Sequence, residues 1–176
     1  NPEKNLVELV HIKTGGREKD IQPLFAAYAE WLKENIQREF SIQLDSNEMV
    51  HSFLAGIDKF YPPQGRSYLA KQNGNFVGVG CLKTLEGELG EIKRMFVQED
   101  HRGMGIAKAI LDRLIAEARA IGYPKIRLDS PKFATASHSL YRSRGFQPIQ
   151  RYQGSELEEE YAHLVIYMEL EFKERT

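Results

Sequence analysis

The chain has almost no net charge, a single cysteine and no long apolar run, and each shortage narrows what it can be. Its 24 basic and 25 acidic side chains leave a formal charge of −1, so no broad field calls for nucleic acid or an anionic membrane. The lone thiol, Cys81, sits in an apolar strand pattern and closes no internal disulfide. A buried structural thiol in a reducing, cytoplasmic setting is the expectation. No apolar stretch approaches the ~20 residues that cross a bilayer. The first residues, NPEKNLVELVH, show no signal-peptide pattern. Five histidines are scattered without a pair at metal-ligand spacing, so no metal is expected. Repeats and low-complexity tracts are missing, as is the phosphate-binding pattern GxxxxGK followed by Ser or Thr.

What is present suits one domain spanning residues 1–176, with 41% hydrophobic and 28% charged residues. The chain is organised around residues 91–123. EIKRMFV alternates like a strand, QEDHRGMGIA is a polar loop with two glycines, and KAILDRLIAEARAIGY is an amphipathic helix. The first amides of a helix lack intrahelical acceptors, and the helix dipole adds positive charge there. Gly103 and Gly105 remove Cβ atoms where a ligand would approach the backbone. Together these features make an anion cradle, most naturally for phosphate.

Two kinds of phosphate site remain once the P-loop is excluded. A dinucleotide fingerprint uses Gly103 and Gly105, with Asp129 as the distant acid, but its third small position is Lys108. The other fits without forcing. Arg102-Gly103-Met104-Gly105-Ile106-Ala107 carries the pattern R/Q-x-x-G-x-G/A, and LYRSRGF follows at residues 140–146. On these residues the chain resembles the GNAT superfamily of N-acetyltransferases.

The remaining pattern gives the elements in order. A strand at 6–12 precedes a helix at 20–37, N-capped by Asp20 with Pro23 in its first turn, and a second helix at 46–58. Strands at 66–71, 76–84 and 88–97 are joined by short Asn/Gly turns, which mark antiparallel hairpins rather than the parallel strands of a dinucleotide fold. After the long helix come a strand at 125–129, a helix at 135–144, and strands at 146–149 and 161–172. The order β-α-α-β-β-β-α-β-α-β-β is an α/β (α+β) arrangement and resembles the GNAT fold: a mixed, mostly antiparallel sheet of six to seven strands flanked by helices.

The resemblance implies an acyltransferase that moves acetyl from acetyl-CoA to an amine by direct attack in a ternary complex. Residues 102–108 (Arg102, Gly103, Met104, Gly105, Ile106, Ala107 and Lys108) would hold the pyrophosphate, and the main chain of Met95, Phe96 and Val97 the pantetheine arm. Ser137 and Arg144 are further cofactor candidates. Glu91, six residues before Val97, occupies the place of the family's strand glutamate base. A carboxylate paired with Lys93 or Arg94 is its plain alternative. Tyr141 stands where the family often has a tyrosine acid. The asparagine often found seven residues before that tyrosine is replaced by Ala134. Tyr28, Trp31 and Tyr61 are candidates to line the acceptor pocket. The acidic segment RYQGSELEEE, residues 151–160, is either a charged surface loop or a lure for a cationic amine. A small amine is the favoured acceptor, with a protein amine, or a non-catalytic acyl-CoA-binding module, as alternatives. A homodimer is expected from the resemblance alone.

Overall fold

A computed structural model describes residues 6–173. The elements are β1 (Glu8–His11), α1 (Glu18–Phe40), α2 (Ser46–Ala55), β2 (Arg66–Gln72), β3 (Asn75–Leu85), β4 (Leu89–Val97), α3 (Ile106–Ile121), β5 (Lys125–Pro131), α4 (Thr135–Ser143), β6 (Gln147–Ile149) and β7 (Val165–Glu171). The expected order is present throughout. The seven strands form one sheet in the order β1-β2-β3-β4-β5-β7-β6. Only β4 and β5 run parallel; every other neighbouring pair is antiparallel.

Both faces of the sheet are covered, which is why its central strands read as nearly unbroken apolar runs. Alternation along β2 shows the division: Tyr68 and Ala70 pack with α3, whereas Leu69 packs with α1 and α2. Helix α3 buries Ile106, Ile110, Leu111, Leu114 and Ala118 on one stripe and stops at Gly122, whose left-handed φ lets its amide bond back to Ala118 and Arg119. Cys81 is buried between β3 and the α1/α2 layer, and burial pushes its thiol up to about 11. Among the described residues no helix is long and apolar enough to cross a membrane.

The structure corrects several boundaries. Helix α1 begins at Glu18, before Asp20, and has no side-chain cap. Asp20 instead accepts a 3.1 Å hydrogen bond from Arg17 within the first turn. Pro23 therefore lies in the second turn, where its missing N–H costs a helical bond. Asp45 caps α2, accepting from the Glu48 amide at 3.1 Å. That helix closes at Ala55, and Ile57–Phe60 continue as a 3-10 turn. Glu159–Leu164 form another such turn, so β7 begins only at Val165.

Candidate active site

Two irregularities in β4 build the site. The first is its short pairing with β5, which joins Gly90 to Ile126 and Glu91 to Arg127. Beyond that point the two strands splay, and the later part of β4 turns a free main-chain edge into the gap. The second is a β-bulge. Val79 pairs with Phe96 and Cys81 with Lys93, so Arg94 and Met95 together oppose Gly80. Arg94 takes a left-handed φ of 60°, unusual for a side-chain-bearing residue. Gly80 is required at the bulge, because a Cβ there would collide with Ile110 and Met95.

A cleft of about 570 Å³ runs along the splay to the start of α3. Met95, Phe96 and Val97 form one wall; Ala134, Ser137, Leu140 and Tyr141 form the other. The loop before α3 closes one end, with Arg102, Gly103 and residues 105–108 on the lining. Gly103 and Gly105 have φ of 78° and 81°, and a Cβ at either would meet nothing within 4 Å. The loop thus presents bare backbone to open space, and the amides of Ile106, Ala107 and Lys108 at the helix start lack intrahelical acceptors. Arg102 donates from Nε to the Val97 carbonyl at 3.0 Å, with its guanidinium 5.0 Å from the Trp31 ring. This geometry suits an anionic, phosphate-bearing ligand with an elongated tail.

A second cavity of about 50 Å³ lies at the vertex of the splay. It shares Trp31, Met95, Ala134, Ser137 and Tyr141 with the cleft and adds Tyr28, Lys93, Arg94, Asp129 and Ser130. Burial raises the pKa of the Tyr141 and Tyr28 hydroxyls, so both are neutral donors at working pH. Lys93 Nζ lies 3.2 Å from both Asp129 Oδ2 and Glu156 Oε2. Burial disfavours its charge, but Asp129, Glu91 and Glu156 outweigh that and raise its pKa. His138 pairs with Ser130 behind the cavity at 3.1 Å.

Several expected residues lie elsewhere. Glu91 is 0% exposed and lines neither cavity. Its Oε2 accepts a 2.6 Å hydrogen bond from Tyr152, and its Oε1 lies 3.6 Å from Lys83 Nζ. Arg144 is drawn away by Asp112, to which it donates at 2.6 and 3.1 Å. Met104 is 53% exposed and off the lining. Tyr61 packs on the α1/α2 core instead. Lys93, Arg94, Asp129 and Ser130 were not expected at the site. Strand alternation hides the first two, and the sequence offers Asp129 only as the distant acid of a dinucleotide fingerprint. Among the described residues no group of three or more His, Cys, Asp or Glu could hold a metal ion.

Residues 25–146 match the family model for the acetyltransferase (GNAT) family, and the chain belongs to that family. It is 39% identical over 94 residues to an IAA acetyltransferase of Azospirillum brasilense, covering 53% of this chain and 61% of that one. It is 34% identical over 101 residues to the N-acetylaspartate synthetase of Rattus norvegicus, covering 56% and 34% respectively. The matches thus span less than two thirds of these relatives. A GNAT-family acetyltransferase from Staphylococcus aureus Mu50 shares the fold with a TM-score of 0.72 at 21% identity, covering 94% of this chain and all of that one. Salmonella typhimurium yncA, solved with its cofactor acetyl-CoA, superposes with a TM-score of 0.58 at 18% identity, covering 95% of each chain.

Proposed function

We propose that the protein is an N-acetyltransferase moving the acetyl group of acetyl-CoA to the primary amine of a small molecule, by direct attack in a ternary complex. The observation that carries this reading is the continuity of the cleft. A bare-backbone anion cradle at 102–108, a free strand edge at 95–97 and a polar cavity meeting Tyr141 lie in line. Bound acetyl-CoA supplies an activated acyl carbonyl and a thiolate leaving group. The loop amides and Lys108 hold phosphate, the edge of β4 bonds the amides of the arm, and Tyr141 donates its proton to the departing sulfur.

The acceptor arrives as an ammonium and must lose a proton before its nitrogen attacks. Glu91 is closed off from the cavity, so the role falls to Asp129, the carboxylate on its lining. Asp129 takes the ammonium proton and passes it to solvent; the N–C bond then forms as the C–S bond breaks, Tyr141 supplies the thiol proton, and the second amine proton leaves nitrogen to restore the Tyr141 hydroxyl through solvent. The small, aromatic-walled vertex supports a small acceptor over an extended peptide, as does a relative named for making N-acetylaspartate.

The test is calorimetric titration with acetyl-CoA and NADH, followed by thiol-release assays on amines and peptides. Micromolar acetyl-CoA binding without NADH binding, and turnover with a small amine, is the expected result. Binding without any turnover points to a sensor module; NADH binding overturns the reading.

A further inference from the structure

The charges beside the second cavity are arranged in a way that acetyl transfer alone does not require. In a regular strand, consecutive side chains point to opposite faces. The bulge breaks that rule at Arg94, and both Lys93 and Arg94 reach the same carboxylate. Glu156, from the irregular loop between β6 and β7, accepts from Arg94 Nη1 at 3.2 Å and Nη2 at 2.9 Å, and lies 3.2 Å from Lys93 Nζ. The Arg94 guanidinium is fixed 4.2 Å over the Phe53 ring.

The two sides of this contact differ in burial. The Lys93 and Arg94 side chains are only 6% and 10% exposed, whereas Glu156 is 46% exposed. Two buried cations need a counter-ion, and this one sits on a loop side chain with half its surface in solvent. Glu156 also leaves Arg94 incompletely used, since Arg94 Nε is buried without a partner among the described residues.

We propose that Glu156 holds the place of an acceptor's carboxylate, so that the substrate is an amino acid whose acid group binds Arg94 and Lys93 as the loop swings out. The proposal rests on the acetyl-transfer reading and names its acceptor class. Asp129, 3.2 Å from Lys93 on the cavity's other side, faces the acceptor's ammonium. With Glu156 withdrawn, Lys93, Arg94 and Asp129 sum to one net positive charge. A substrate in its reactive form, with neutral amine and ionised carboxylate, restores neutrality once the ammonium proton has passed from Asp129 to solvent. An amine without an acid group leaves the two cations unmatched unless the loop stays closed.

The experiment titrates the protein with the common free amino acids and, separately, with their carboxamides. Calorimetry is run with and without acetyl-CoA, and thiol release reads turnover. At least one free acid should bind and react with a KM about tenfold or more below that of its amide, the scale of a lost charged hydrogen bond. Glu156→Gln removes the competing charge and should lower KM for the acid about three- to tenfold, with no matching fall for the amide. Arg94→Gln should raise the acid's KM toward the amide's; should that buried variant fail to fold, Glu156→Gln still decides. Equal KM for acid and amide, no binding by any free acid, or an unchanged acid KM in Glu156→Gln overturns the proposal. Failure of acetyl-CoA to bind overturns the donor reading instead, and the titrations without acetyl-CoA still read the carboxylate site.

Discussion

Tyr152 donates a 2.6 Å hydrogen bond to Glu91, and the pair lines neither cavity of the candidate active site. Burial, then the adjoining Glu91 charge, raises the pKa of the Tyr152 hydroxyl, so it remains a donor at any working pH. A fully buried carboxylate needs that donor more than it needs access to substrate. Tyr152→Phe should therefore lower the unfolding free energy by about 1.5–3 kcal/mol, the usual value of a hydrogen bond to a charged group. Its kcat should stay within about twofold, a shift under half a kcal/mol. Urea denaturation beside steady-state kinetics checks this. A large fall in kcat with unchanged stability would return Glu91 to the chemistry.

Tyr141 stands at the junction of the two cavities, where a leaving thiolate would form. Removing its hydroxyl removes the proton and little else, because the ring keeps its packing against Phe146 at 5.7 Å. Tyr141→Phe should reduce kcat about 100-fold or more, the lower range for loss of a general acid. Acetyl-CoA affinity by calorimetry should hold. Equal kcat in the two proteins would exclude the acid role.

The anion cradle was readable from sequence because it is local. The strand, two glycines and helix start all lie within residues 91–123. The order of elements was readable for the same reason, since each hairpin turn and helix stripe is written in adjacent residues. The partners of the charged residues were not. Glu91 meets Tyr152 across 61 positions, and Arg144 meets Asp112 across 32, so no local pattern reports either contact. Strand alternation puts Lys93 and Arg94 on opposite faces, and only the bulge at Gly80 brings their heads together. Nothing in the bare alternation announces that bulge.

Gly80 gives a direct test of that bulge. Its missing Cβ leaves room for Met95 Sδ, which a Cβ would approach to 2.6 Å. Gly80→Ala should cost about 1–3 kcal/mol through overpacking. It should also weaken acetyl-CoA binding, since Met95 lines the cleft and its backbone forms the free edge. Denaturation and calorimetry on the same preparation measure both. A loss of stability with unchanged affinity would separate the bulge from the cleft.

The Glu156 contact makes a pH signature with a definite sign. Burial disfavours its charge, but the Arg94 hydrogen bonds and the Lys93 charge outweigh that and hold its pKa at about 2, below the ordinary 4.5. A depressed carboxylate contributes stability that is fully present above its unfolded pKa and is lost as pH falls through its folded one. Wild type should thus be more stable than Glu156→Gln near neutrality, and the gap should close as pH drops from 4.5 toward about 2. Because Glu156 is half exposed, added salt should narrow the gap as well. Denaturation of both proteins across that range at low and high salt measures it. A gap that ignores pH would mean that the loop carboxylate does not rest on Arg94 in solution, and that the two cations find their counter-ion elsewhere.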